Sequence, residues 1–210
     1  MSGRSMQTGS QPFASLPNPS SKLRFWEKTG TTVTKEDIRL LYEYDRWANR
    51  RVFQATTKLT AEEFTRDLGG SFRSVRDTLV HIVAGEWSWF EYWNATSPDP
   101  AFLADLRSRR EVLFNSDAFP EIDTVKLKWA EIERMQIEFV NGVTDELLRK
   151  LIPFRTTQVR LSSLMQHVAN HSTYHRGQIA LMMRQINAKP APTDFHEFLV
   201  AGDREKTSAH

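Results

Sequence analysis

An all-α four-helix bundle is the fold that this 210-residue sequence predicts, on three observations. Four long stretches place apolar residues three and four apart, the period of one buried helix face. No stretch alternates convincingly enough to build a sheet, and no internal repeat is present. The connections are too long for a simple chain of helical hairpins, so at least one crosses over the bundle.

Composition narrows the partners. The length suits one domain with a sizeable core plus a tail. With 28 basic against 26 acidic residues, the formal net charge of +2 singles out no anionic partner, so nucleic acid gains no support. Cysteine is absent, which removes disulfides, thiolate metal sites and a cysteine nucleophile, and fits a reducing, cytoplasmic setting. No apolar run approaches the ~18 residues a membrane span needs.

Residues 1–30 read as a disordered tail, because Pro12, Pro17, Pro19 and the pair Ser20-Ser21 show no helical period. Glu27 is the first acidic residue, after Arg4, Lys22 and Arg24, which is the bias of an organellar transit peptide. The three prolines oppose the amphipathic helix that such a peptide forms. The bundle domain is expected over 31–203, followed by a short tail over 204–210.

The first long helix is expected over 35–57, with Thr34 as N-cap, acids in its first turn, and an inner face of Ile38, Leu41, Asp45, Ala48 and Val52. Thr60-Ala-Glu-Glu63 opens a short helical turn that Gly69-Gly70 ends. The second long helix, 72–95, carries Val75, Leu79, Ile82, Trp89 and Trp93 until Pro98 and Pro100 break it. Residues 102–119 have no clear period, and Arg107, Arg109 and Arg110 read there as a solvated face in preference to an anion site. The third, 121–142, has Pro120 in its first turn and a stripe of Val125, Trp129, Ile132, Met135 and Phe139. Thr144-Asp-Glu146 starts one more turn, and Leu151 to Arg160, with Pro153 and partial alternation, reads as an extended connector or weak hairpin. The fourth helix covers 162–187, and Pro190 with Pro192 closes it. Burial should be deepest along Leu79, Ile82, Leu164, Val168 and Ile179.

That fourth helix suggests chemistry. Leu164, Val168, Ile179, Met182 and Ile186 form its apolar stripe. At ~100° per residue, His175 falls near the stripe's centre, His171 roughly 40° to one side and His167 about 80° off. One core histidine is ordinarily a hydrogen-bonded core residue. Two in one stripe must each satisfy two ring nitrogens among apolar neighbours, and a metal ion held by positions i and i+4 does that.

The second helix adds His81, off the apolar stripe and in line with Ser74, Thr78, Gly85 and Ser88. Those small residues let another helix approach; a surface histidine and a metal ligand both fit the position. Glu86 puts a carboxylate where the stripe demands a hydrophobe, so it needs a cation or donor, such as metal-bound imidazoles or Arg176.

Four pieces then occur in one order. They are Tyr44-Asp-Arg-Trp-Ala-Asn49; Ser74-Val-Arg-Asp-Thr-Leu-Val-His81 with the aromatic run Trp87 to Trp93; His167-Val-Ala-Asn-His171-Ser-Thr-Tyr-His175-Arg-Gly-Gln178; and Pro190-Ala-Pro-Thr-Asp194-Phe195. Together, from about Thr34 to Leu199, they resemble the DinB family of small metal-binding helical bundles. The resemblance implies a DinB-like bundle with a divalent metal, zinc or nickel, held by His81, His171 and His175. The last two are the pair that the stripe singles out, so His167 is left out. It also implies a homodimer in many members and a name tied to DNA-damage induction, a stress response; that name describes regulation and not DNA contact. Relatives of the fold include transferases that use low-molecular-weight thiols. Each ring nitrogen opposite the metal needs an acceptor, for which Asp77, Glu86 and Gln178 are the candidates.

Three imidazoles leave one position open on such an ion, where a bound water or thiol is acidified. The expected function is therefore a metal-dependent enzyme, a thiol transferase or a hydrolase, without a side-chain nucleophile. A thiol would come from a cosubstrate, since the chain has no cysteine. The rival is a non-catalytic, metal-stabilised bundle that works as a dimeric binding or stress protein. The enzyme requires a cleft at the open position, which Trp87, Trp89 and Trp93 are placed to line. A structural ion requires a fourth protein ligand, Glu86 or His167.

Overall fold

The structure, a computed structural model, describes residues 32–95 and 98–207, with side chains described as far as residue 201. The expected tail over 1–30 lies outside these residues.

Caps set the helix starts. Thr34 opens α1 (Lys35–Thr56): the Asp37 N–H donates to Thr34 Oγ1 at 3.1 Å while the Thr34 N–H donates to Asp37 Oδ2 at 2.9 Å. Thr60 and Glu63 repeat this reciprocal cap at α2 (Ala61–Thr65). Each pair satisfies two backbone donors that the helix itself leaves unpaired. Ser74 caps α3 (Val75–Asn94), accepting from the Asp77 N–H at 3.0 Å.

The stretch without a clear period holds a helix, α4 (Pro100–Leu113), and a 3₁₀ turn at Ser116–Ala118. Asp99 caps α4 by accepting from the Phe102 N–H at 2.8 Å, and Pro100 takes the first helical position. Leu106 alone within α4 is buried, so no apolar stripe announces the helix. The next helix, α5 (Ile122–Gly142), has Glu121 as its N-cap; Pro120 stands before the helix and not in its first turn. Thr144 caps the short α6 (Asp145–Arg149).

The connector after α6 is a hairpin. β1 (Leu151–Phe154) and β2 (Thr157–Arg160) pair antiparallel, with Leu151 opposite Arg160 and Phe154 opposite Thr157. Arg155 turns the two-residue loop at φ 52°, the left-handed conformation such loops need. β2 runs directly into α7 (Leu161–Gln185). Pro190 and Pro192 lie beyond the end of α7, but they do not end the fold: α8 (Phe195–Thr207) follows, through part of the stretch expected as a tail over 204–210. Phe195 meets Tyr44 edge-on at 5.0 Å and Phe198 meets Trp47 at 5.7 Å, which fastens α8 to α1.

The bundle consists of α1, α3, α5 and α7. Both α1 and α3 pack on α5 and α7, so α1 and α3 lie across a diagonal and the connection through α2 crosses over. Leu79, Ile82, Leu164, Val168 and Ile179 are at most 3% exposed, as their stripes require. Burial of each such side chain contributes roughly 1.5–3 kcal/mol. No described helix is long and apolar enough to cross a membrane.

A polar layer joins all four bundle helices. Arg176 on α7 meets Asp45 on α1 at 2.5 Å, with both side chains 1% exposed, and donates to Asn49 Oδ1 at 2.8 Å. Asn49 donates to Glu86 on α3 at 3.2 Å, Gln136 on α5 donates to it at 2.9 Å, and Ser172 on α7 at 2.8 Å. Glu86 therefore takes amide and hydroxyl donors. The sequence offers it metal-bound imidazoles or Arg176, but Arg176 belongs to Asp45. Burial raises both carboxyl groups above their usual range, Glu86 far more; Arg176 holds Asp45 back, while the Asp45 charge adds to the rise at Glu86.

Candidate metal centre

Three histidines converge beside this polar layer, between α3 and α7. α3 delivers His81, and α7 delivers His171 and His175 one turn apart. His81 Nε2 lies 3.0 Å from His171 Nε2, and His175 Nε2 lies 3.1 Å from the same atom. One ligand atom from each ring falls within 4.8 Å of the others. Tetrahedral zinc with bonds near 2.0–2.1 Å sets imidazole nitrogens roughly 3.3 Å apart, so the two separations from His171 need only a few tenths of an ångström of adjustment.

The close approach depends on Gly85, one turn along α3 from His81. A Cβ there would stand 3.1 Å from His171 Cε1. The line of small residues that carries His81 is thus the face on which α7 packs; Thr78 on the same line reaches Met182.

The electrostatics keep the rings neutral. Burial, then the neighbouring His175 and His171, pull His81 down to about 3. Burial and the flanking His175 pull His171 down to about 4, and burial lowers His175. Neutral imidazoles have lone pairs to offer a cation.

Proton counting tests the fit of a metal. Gln178 Oε1 lies 2.8 Å from His175 Nδ1, which donates to it and leaves the His175 Nε2 lone pair free. Arg110 Nη2 lies 3.3 Å from His81 Nδ1, which must accept and so leaves the His81 proton on Nε2. His171 Nε2 faces both neighbours. If it accepts from His81, it meets His175 lone pair to lone pair; if it donates to His175, it meets His81 proton to proton. Neutral rings in these tautomers leave one contact unsatisfied either way; a cation among the three would remove that clash between the rings and turn the His81 proton to Nδ1, against Arg110. The residues fit a divalent metal.

The other expected site residues fall elsewhere. Asp77 accepts from Arg76 at 3.0 Å and makes no hydrogen bond to a converging imidazole, although it lines the cavity with His81. Glu86 is fully buried in the polar layer, occupied by Asn49, Gln136 and Ser172. Of the three proposed acceptors, Gln178 alone makes the contact. His167 is exposed and packs on Trp89 at 5.1 Å, its ring 6.0 Å from that of His171. It is outside the converging group.

A cavity of about 320 Å³ opens against His81, lined by Phe72, Asp77, Arg110, Glu111 and Phe114 among others. Its aromatic lining is phenylalanine, and the expected tryptophans are absent: Trp87 and Trp93 are buried in the core and Trp89 lies beside His167. Phe72 stacks on His81 at 4.0 Å. Arg110 is half-buried over the site, in contrast to the solvated face its segment suggests; neighbouring Arg109 does pair outward, with Glu91 and Asp105. Nothing within α4 marks Arg110 in the sequence, because its partner His81 stands on α3.

A sequence model of the DinB family matches residues 30–206. The chain is 29% identical over 171 residues to the protein DinB of Bacillus subtilis strain 168, which covers 79% of this chain and 95% of that protein. It is 23% identical over 155 residues to the uncharacterized protein YizA of the same organism, covering 73% and 91%. A DinB-like protein of Bacillus cereus ATCC 10987 has the same fold with a TM-score of 0.58 at 16% identity, covering 77% of this chain and 99% of that one. A protein of Escherichia coli UTI89 has a TM-score of 0.55 at 12% identity, covering 74% and 96%. At such identities the two structures speak to the fold alone. With the family model spanning nearly all of the described residues, the chain belongs to the DinB family.

Proposed function

We propose that this protein is a metal-dependent enzyme that activates a small thiol, or water, at a zinc or nickel ion held by His81, His171 and His175. One observation carries the reading: three imidazoles kept neutral by burial converge with no fourth protein ligand in the group among the described residues, and one of them, His81, lines an open cavity. The ion would act as a Lewis acid that favours the deprotonated form of a bound thiol or water. The chain's own residues supply the setting. Gln178 holds the His175 proton on Nδ1, Phe72 covers one face of His81, and Gly85 admits the His171 ring. Without cysteine, the chain needs the thiol as a cosubstrate.

The test pairs a thermal melt, with and without chelator, with a screen of thiol cosubstrates against an electrophilic acceptor and of water against activated esters. Metal-dependent turnover that disappears in His175→Ala supports the enzyme. A large loss of stability on chelation, with no turnover in either screen, would instead make the ion structural.

A further inference from the structure

The cavity holds a cation that the proposed chemistry does not use. Arg110 reaches over the site from α4, half-buried, and makes no ion pair among the described residues. Its one polar contact in the cavity is His81 Nδ1, at 3.3 Å. A guanidinium has only donors, and so it needs acceptors wherever it loses water.

Binding of a metal would remove the acceptor it has. When His81 gives its Nε2 lone pair to an ion, its remaining proton sits on Nδ1. The Arg110 contact then sets a donor against a donor. Asp77 is engaged with Arg76 at 3.0 Å, and Glu111 is exposed to water. Two donors on one wall of a cavity, the Arg110 fork and the His81 Nδ1–H, are arranged for a ligand that brings its own acceptors.

We propose that Arg110 binds an oxyanion of the small substrate, a carboxylate in the simplest case, in the cavity beside His81. The anion accepts from the guanidinium, and the apolar body of the substrate lies along Phe72 and Phe114, which line the same cavity. An Arg fork matches the two oxygens of a carboxylate, and such charge-assisted pairs are the stronger hydrogen bonds. This proposal rests on the thiol-enzyme reading for its choice of substrate: a thiol that carries an acid group a few bonds from its sulfur. The anion site itself can be tested apart from the sulfur.

The experiment is calorimetric binding to the zinc-loaded full chain, wild type against Arg110→Gln and Arg110→Lys. The probes are 3-mercaptopropionate, uncharged 2-mercaptoethanol, propionate and inorganic phosphate. Wild type should bind 3-mercaptopropionate at least about tenfold more tightly than 2-mercaptoethanol, the scale of one charge-assisted pair. Arg110→Gln should abolish that preference while keeping its zinc. Phosphate that binds in an Arg110-dependent way and displaces the acid would support the oxyanion site with phosphate as its better ligand. Equal affinity for the two thiols in wild type, or an undiminished preference in Arg110→Gln, would overturn the proposal. If propionate binds through Arg110 and the sulfur adds nothing, the anion site stands and the thiol reading falls. Should Arg110→Gln not fold, Arg110→Lys decides: the fork is lost, so affinity for 3-mercaptopropionate should drop, and an unchanged value would overturn the proposal.

Discussion

Ser172 donates a hydrogen bond to Glu86 Oε1 at 2.8 Å, and it stands one residue after His171 on α7. The turn that presents an imidazole to the site is thus the turn that the buried polar layer grips. The layer holds α7 to α1, α3 and α5 through Asp45, Asn49, Glu86, Gln136 and Arg176. It positions the helices, and the helices position the histidines.

Substitutions at Glu86 should therefore separate charge from hydrogen bonding. Glu86→Gln keeps the shape and a neutral side chain, and should fold. Glu86→Ala leaves the Gln136 and Ser172 donors unpaired beside a cavity and Asn49 with Asp45 alone, and should cost about 3 kcal/mol or more in chemical denaturation. The sign with pH follows from the raised folded value: Glu86 contributes fully below the ordinary 4.5 and loses that contribution as pH rises through its folded value. Glu86→Gln should gain on wild type as pH increases; a constant difference between the two would contradict the account.

Gln178→Leu tests the acceptor behind His175. The His175 Nδ1 contact at 2.8 Å fixes the tautomer and adds basicity at Nε2. Its loss should weaken zinc affinity about 10- to 100-fold with little change in the melting temperature of the metal-free protein. Zinc affinity equal to that of wild type, measured by competition with a chelating dye, would remove Gln178 from the site.

Gly85→Val should do more damage to the site than to the fold. The first added carbon already stands 3.1 Å from His171 Cε1, and the branched methyl groups must push the ring or α7 aside. Circular dichroism should keep the helical signal, while zinc affinity falls at least about tenfold. Full affinity in a folded Gly85→Val protein would show that the close packing is not needed.

The metal-free protein should lose stability in acid from its histidines. Unfolded histidine titrates near 6.5, whereas folded His81 is lowered to about 3 and His171 to about 4, chiefly by burial. Between those limits the unfolded chain binds protons that the fold refuses. The contribution is whole above about 6.5 and is lost as pH falls toward the folded values. Denaturation at pH 7.5 and pH 5 should show the fall, and His81→Phe should reduce it. A variant with the wild-type slope would refute the assignment.

Much of this was legible because periodicity reports burial. His171 and His175 interrupt an apolar stripe, and Ser74, Thr78, Gly85 and Ser88 mark the face on which α7 settles. Thr34, Thr60 and Thr144 announced their helices by cap chemistry that is local in sequence. What escaped was set by distant contacts. Arg110 looks solvated on α4 because its partners lie on α3, and Glu86 could not be matched to Asn49, Gln136 and Ser172 without the helix order. Asp77 sits one turn from His81, yet adjacent Arg76 takes its carboxylate. The helix α8 had a readable signal in Phe195, Phe198 and Leu199 at helical spacing, masked by the two prolines before it.

The most direct test of the central claim is the metal content of protein purified without a metal-bearing affinity resin. The convergence of His81, His171 and His175 predicts one zinc or nickel ion per chain, and less than a tenth of that in a folded His81→Ala, His171→Ala double variant. Metal undiminished in the double variant, or a wild-type chain that stays metal-free when titrated with either ion, would contradict it.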